Sequence, residues 1–187
     1  ARALLAGGVS IMELTLRTPA ALDALQAIRE HVPEMMAGIG TILTPDQAAA
    51  AKQAGAAFGV APGMNPRVVA RAREVGLPFA PGIVTPSDIE AALEFGCRLL
   101  KFFPAETAGG IRHLKALAAP YAHLDLRYMP LGGLTLDNIA AYLALPCVAA
   151  VGGSWLAPRP AIRSRDWAAI TRNAAQATAA IAAIRRA

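Results

Sequence analysis

The chain has 187 residues, 55% of them hydrophobic, and a formal net charge of +5. That length suits one domain with a substantial core, and the apolar runs are broken by Gly, Pro or charge well short of the roughly 18 residues that mark a membrane span. The basic balance does not point to nucleic acid. Arg159, Arg163, Arg165, Arg172, Arg185 and Arg186 crowd the C-terminal segment without interleaved aromatics, the pattern of a solvated helical face. Cys97 and Cys147 lie far apart, each beside an apolar strand, and read as buried thiols of a reducing cytosol. His31, His113 and His123 show no ligand spacing, so no metal site is expected.

In chain order, the opening ARALLAGGV reads as the end of a helix with a glycine cap. Strands are then predicted over Ser10–Leu16, Met36–Thr41, Phe58–Pro62, Phe79–Ile83, Leu99–Pro104, Leu126–Leu131 and Val148–Gly153. Helices alternate with them near Ala20–His31, Pro45–Ala54, Pro66–Val75, Pro86–Phe95, Gly110–Ala119 and Leu136–Leu145, and a last helix over Pro158–Ala187 packs outside. Pro19, Pro45, Pro66 and Pro86 suit first-turn positions behind the N-caps Thr18, Thr44, Asn65 and Thr85. Gly55, Gly76 and Gly96 suit helix C-termini. Strand alternating with helix at this spacing means a parallel sheet. Seven strands after a helix end favour a (β/α)₈ TIM barrel whose first strand is absent from this chain, one domain over 1–187. An open doubly wound sheet is the alternative, but no G-x-G-x-x-G follows the first strand. A barrel short of one strand would expose two parallel strand edges, so the chain alone is expected to be a poor catalyst.

In such barrels chemistry gathers at the C-terminal strand ends. Of the three lysines, Lys52 and Lys115 fall in helical segments, whereas Lys101 lies in the apolar run Leu99–Pro104. Burial disfavours an ammonium and lowers its pKa, which makes the amine a nucleophile for carbonyls. The other reading of Lys101 is a packed stem whose head snorkels to the strand end. Glu13, Thr15 and Arg17 share one face of their strand by period two, either as a structural ion pair or as part of a site. Thr41 ends a strand after Gly38 and Gly40, and Pro62 closes another; each also suits turn chemistry. The last two strands end in glycines, at Leu131-Gly132-Gly133 and at Gly152-Gly153-Ser154, in the loops where this fold cradles phosphate. An amine, a carboxylate, an arginine and an anion cradle suit a phosphorylated keto acid.

The segments IMELTLRTP, GIGTIL, KFFPAE, PLGGL and VGGSWL resemble, in order and over essentially the whole chain, the 2-keto-3-deoxy-6-phosphogluconate (KDPG) aldolase family of the Entner–Doudoroff pathway, which includes 4-hydroxy-2-oxoglutarate aldolases. The resemblance implies a cytoplasmic homotrimer of (β/α)₈ barrels. It implies class I aldol cleavage to pyruvate and glyceraldehyde 3-phosphate, without metal or cofactor, and with no nucleic acid or membrane as partner. Lys101 falls on the Schiff-base lysine and Glu13 on the general acid/base. Arg17 and Thr41 fall on the pyruvate carboxylate site, and Pro62 and Phe103 on pocket walls. Gly132, Gly133, Gly153 and Ser154 fall on the phosphate site. Two departures stand out. The family's N-terminal strand is missing, so the natural protein is expected to be longer. Its usual P-T-G-G-I is here Pro130-Leu131-Gly132-Gly133-Leu134, so Leu131 replaces a hydroxyl that meets substrate. Two rival readings are a sister aldolase for the galactonate epimer or 4-hydroxy-2-oxoglutarate, and a phosphate-binding barrel without aldolase activity.

Overall fold

A computed structural model describes residues 1–186. Helix α1 (Arg2–Ala6) precedes strand β1 (Ile11–Thr15), and strands and helices then alternate. The order is α2 (Ala21–His31), β2 (Met36–Gly40), α3 (Pro45–Gln53), β3 (Gly59–Val60), α4 (Pro66–Glu74), β4 (Phe79–Ala80), β5 (Gly82–Ile83), α5 (Pro86–Glu94), β6 (Leu99–Phe102), α6 (Gly110–Ala118), a 3₁₀ turn (Ala119–Leu124), β7 (Arg127–Pro130), α7 (Ile139–Leu143), α8 (Arg159–Arg163) and α9 (Trp167–Arg186). All pairings are parallel and run in chain order, β1-β2-β3-β4 and β5-β6-β7, with Val148 bridged to Tyr128 beyond β7. Sequential parallel strands with helices outside make the wall of a β/α barrel.

Several helix starts follow from local chemistry. Thr44 and Thr85 close capping boxes with Gln47 and Asp88, Asn65 caps Arg67 N–H, and Pro45, Pro66 and Pro86 stand at the first turn. Gly55, Gly76 and Gly96 follow helix ends with positive φ, the left-handed step an L-residue rarely takes. The reading of Thr18 and Pro19 as cap and first turn is corrected, because α2 begins at Ala21 behind Ala20.

Four predicted elements also differ in extent from their sequence pattern. The strand expected over Phe79–Ile83 is split at Pro81, where the Pro81-Gly82 step already interrupts its pattern, because proline has no N–H for the ladder; the Pro81 carbonyl still accepts from Lys101 N–H at 2.8 Å. The strand expected over Val148–Gly153 is reduced to the single Tyr128–Val148 bridge. The helix expected over Leu136–Leu145 contracts to Ile139–Leu143, and the terminal helix breaks between α8 and α9.

The core lies between wall and helices in two clusters. One joins Leu25, Ile39, Ile42 and Val68 to the inner face of α9, and the other joins Ile83, Leu100, Phe102, Leu114 and Tyr128. Met12, Leu14 and Leu16 pack outward onto the first cluster, so period two turns Glu13 towards the barrel interior. Leu100 and Phe102 likewise face the helices and leave Lys101 to the interior.

Candidate active site

Lys101, 5% exposed, sits in the middle of β6, beside Gly82 of β5 and Met129 of β7. Its Nζ lies 3.2 Å and 3.4 Å from the two Glu13 carboxylate oxygens, and 5.2 Å from the centroid of the Phe103 ring. Glu13 thus pairs with Lys101 and not with its near neighbour Arg17. Burial holds the Lys101 pKa below the ordinary lysine value; Arg17 pushes the same way, and Glu13 opposes both. The snorkelling reading of Lys101 fails on this geometry, because the ammonium end is itself enclosed and paired.

The Glu13 position depends on Gly40. A Cβ built on Gly40 would fall 1.6 Å from Glu13 Oε1 and 2.4 Å from its Cδ. Gly38 does not open the interior in this way; its bare face receives the Phe58 ring. Thr41 leaves β2 with φ +62, a left-handed conformation that is strained for a β-branched residue and that recurs where backbone is held for function. Register places Gly40 opposite Thr15, so Thr41 and Arg17 share the C-terminal rim of β1 and β2. Arg17 is exposed and forms no ion pair among the described residues. On the other side Pro62 presses on Gly82, the register partner of Lys101: a Cβ there would lie 2.2 Å from the Pro62 carbonyl carbon and oxygen.

The two glycine loops meet beside this pair. Gly132 packs against Phe103, 3.1 Å from an added Cβ to Cε2. The Leu131 side chain reaches Gly152 at 2.9 Å, and Gly153 approaches the Leu134 carbonyl at 3.1 Å, both measured from an added Cβ. Gly132 and Gly133 have φ of +97 and +83, where a side chain would be strained. The carbonyls of Leu131 and Gly132 accept from Ala105 N–H (2.8 Å) and Glu106 N–H (3.0 Å), and Asn138 Nδ2 donates to the Gly133 carbonyl at 3.2 Å. Among the described residues the N–H groups of Gly132, Gly133 and Leu134, and those of Gly152, Gly153 and Ser154, have no acceptor. Two runs of unspent donors side by side are an arrangement that can receive an anion. Helix termini add little, since α7 has five residues and α8 starts only at Arg159.

Residue reasoning alone missed four contributors. Tyr142, 1% exposed, donates to Glu106, which packs on Gly133; burial, then that carboxylate, raises the Tyr142 pKa. Asn173 of α9 donates to the Trp155 carbonyl at 3.0 Å and pins the exit of the second loop. Asn138 had a local signal, since it stands three residues after Thr135 and accepts its N–H. Asn173 had none, being one polar residue in a long helix.

A family model described as KDPG and KHG aldolase matches residues 1–173. The 2-dehydro-3-deoxy-phosphogluconate aldolase of Treponema pallidum is 48% identical over 171 residues, covering 91% of this chain and 80% of that protein. A KDPG aldolase structure from Legionella pneumophila, with pyruvate captured at low pH as a covalent carbinolamine, superposes with a TM-score of 0.89 at 38% identity, covering 93% of this chain and 84% of that one. The 2-keto-3-deoxy-6-phosphogluconate aldolase of Zymomonas mobilis ZM4, with 3-phosphoglycerate, gives a TM-score of 0.85 at 37% identity over 94% and 81% of the two chains. With a barrel wall, an enclosed lysine–carboxylate pair and a match along nearly its whole length, the chain belongs to the KDPG and KHG aldolase family.

Proposed function

We propose that the chain is a class I aldolase that cleaves 2-keto-3-deoxy-6-phosphogluconate to pyruvate and glyceraldehyde 3-phosphate. The enclosed Lys101–Glu13 pair carries this reading. A lysine whose pKa is lowered by burial offers a neutral amine, and a carboxylate within hydrogen-bond reach can move protons beside it.

Lys101 adds to the C2 carbonyl, and loss of water from the carbinolamine leaves an iminium. Glu13 takes the proton of the C4 hydroxyl. The C3–C4 bond breaks with its electron pair drawn into the iminium, so the aldehyde leaves and an enamine remains. Glu13 returns the proton to C3, and water hydrolyses the pyruvyl iminium to free the amine. A guanidinium offers donors and no acceptor, so the part of Arg17 is to hold the keto acid's carboxylate with Thr41. Pro62 and Phe103 wall the site, and Gly132, Gly133, Gly153 and Ser154 receive the phosphate. A homotrimer in the cytoplasm, serving the Entner–Doudoroff pathway, belongs to the same proposal on the family resemblance.

A second reading, a sister aldolase for the galactonate epimer or 4-hydroxy-2-oxoglutarate, is favoured by Leu131, which brings no hydroxyl to the cleft where it meets Gly152. Incubation with pyruvate and borohydride tests the chemistry common to both. One reduced pyruvyl group should map to the Lys101 peptide, and Lys101→Arg should abolish it. Labelling of Lys52 or Lys115, or of none, would refute the proposal.

A further inference from the structure

A trans peptide points its carbonyl and the next N–H in opposite directions. In the first glycine loop this turns three captured carbonyls into three aimed donors. Tying the Leu131 carbonyl to Ala105 N–H sets the Gly132 N–H, and tying the Gly132 carbonyl to Glu106 N–H sets the Gly133 N–H. The third plane is held by a side chain: Asn138 Nδ2 donates to the Gly133 carbonyl, which sets the Leu134 N–H. Asn138 Oδ1 also accepts from Thr135 N–H at 2.8 Å, so one amide brackets the Gly133–Thr135 segment from both sides. Glycine has no intrinsic preference that would hold such a plane, because positive and negative φ are almost equally open to it.

We propose that Asn138 is the positioning residue for anion recognition in this loop. Without touching the phosphate, it holds the Gly133–Leu134 peptide with its N–H turned to the ligand side. The inference rests on reading the glycine loops as the phosphate site. It assigns to Asn138 the choice between phosphorylated and non-phosphorylated keto acids.

The test compares kcat/KM for 2-keto-3-deoxy-6-phosphogluconate and for 4-hydroxy-2-oxoglutarate, which has no phosphate, in Asn138→Asp, Asn138→Ala and Gly132→Ala. Asp keeps the acceptor for Thr135 N–H but loses the donor, whereas Ala loses both without adding charge. Losing one hydrogen bond to a charged group predicts a fall of about ten-fold or more for the phosphorylated substrate in both Asn138 variants, through KM. The fall should persist at high salt, as befits a reoriented peptide and not a screened repulsion. The non-phosphorylated substrate and pyruvate trapping should be unchanged. If Gly132→Ala impairs only the phosphorylated substrate while both Asn138 variants behave as wild type, the Asn138 role is wrong and the loop reading stands. An equal fall for both substrates in the Asn138 variants would likewise reduce Asn138 to a structural cap. If Gly132→Ala spares the phosphorylated substrate, the loop reading itself is lost.

Discussion

The Glu13 carboxylate occupies the space that a side chain on Gly40 would need: an added Cβ would stand 1.6 Å from Glu13 Oε1. The two residues sit on neighbouring strands, and only the bare backbone of β2 lets the carboxylate lie over it and reach Lys101. Gly40→Ala should therefore expel Glu13 from Lys101 while leaving the fold intact, because the clash is with the end of a flexible chain. The predicted result is a loss of proton transfer comparable to Glu13→Gln, about 10²–10⁴-fold. It would be seen as slower deuterium exchange into the pyruvate methyl group, with little change in Tm. Wild-type exchange in Gly40→Ala would show that Glu13 does not shuttle the proton.

The charge environment of Lys101 predicts a pH profile. Burial and Arg17 lower its pKa, and Glu13 raises it. Imine formation with pyruvate should rise with pH through a midpoint below the ordinary lysine value of about 10.4. Removing the nearby anion in Glu13→Gln should move the midpoint down further. Removing the nearby cation in Arg17→Gln should move it up. Trapping rates across pH for the three proteins check the signs, and a shift in the same direction for both variants would contradict the arrangement.

Leu131 leans across the cleft between the two glycine loops, against Gly152. An apolar wall discriminates a substrate hydroxyl weakly, whereas a polar partner lost to the wrong epimer leaves buried groups unpaired. The enzyme should therefore show a relaxed preference between the gluconate and galactonate epimers, and Leu131→Thr should sharpen it towards gluconate. The ratio of kcat/KM for the two epimers measures this. A parent already strongly gluconate-selective would place stereochemical control elsewhere.

Gly82→Ala should destabilise the barrel wall. The added Cβ meets the Pro62 backbone, with carbon and oxygen both at 2.2 Å, and backbone cannot swing aside as a side chain can. Overpacking of this kind costs about 1–3 kcal/mol, readable as a lower urea midpoint. Because Gly82 is the register partner of Lys101, activity should fall too. An unchanged midpoint would mean that the Pro62 segment yields freely.

By itself the sequence determined most of the chemistry that is local, Thr18 and Pro19 being the exception. The boxes Thr44/Gln47 and Thr85/Asp88, the Asn65 cap and the glycines after α3, α4 and α5 act within a few residues, so they could be read in order along the chain. Period two on β1 likewise sorted Glu13 from its apolar neighbours, and the apolar run of β6 singled out Lys101. What no local pattern contains is which partner a strand or side chain meets. Val148 onward carries a strand's composition yet forms a single bridge, since a strand exists only where a neighbour pairs with it. Glu13 had Arg17 as its near companion in sequence, but parallel closure of the wall brought it to Lys101, 88 residues away. The space for that meeting came from Gly40, and the aim of the glycine-loop donors from Asn138; both are contacts that only the folded barrel brings about.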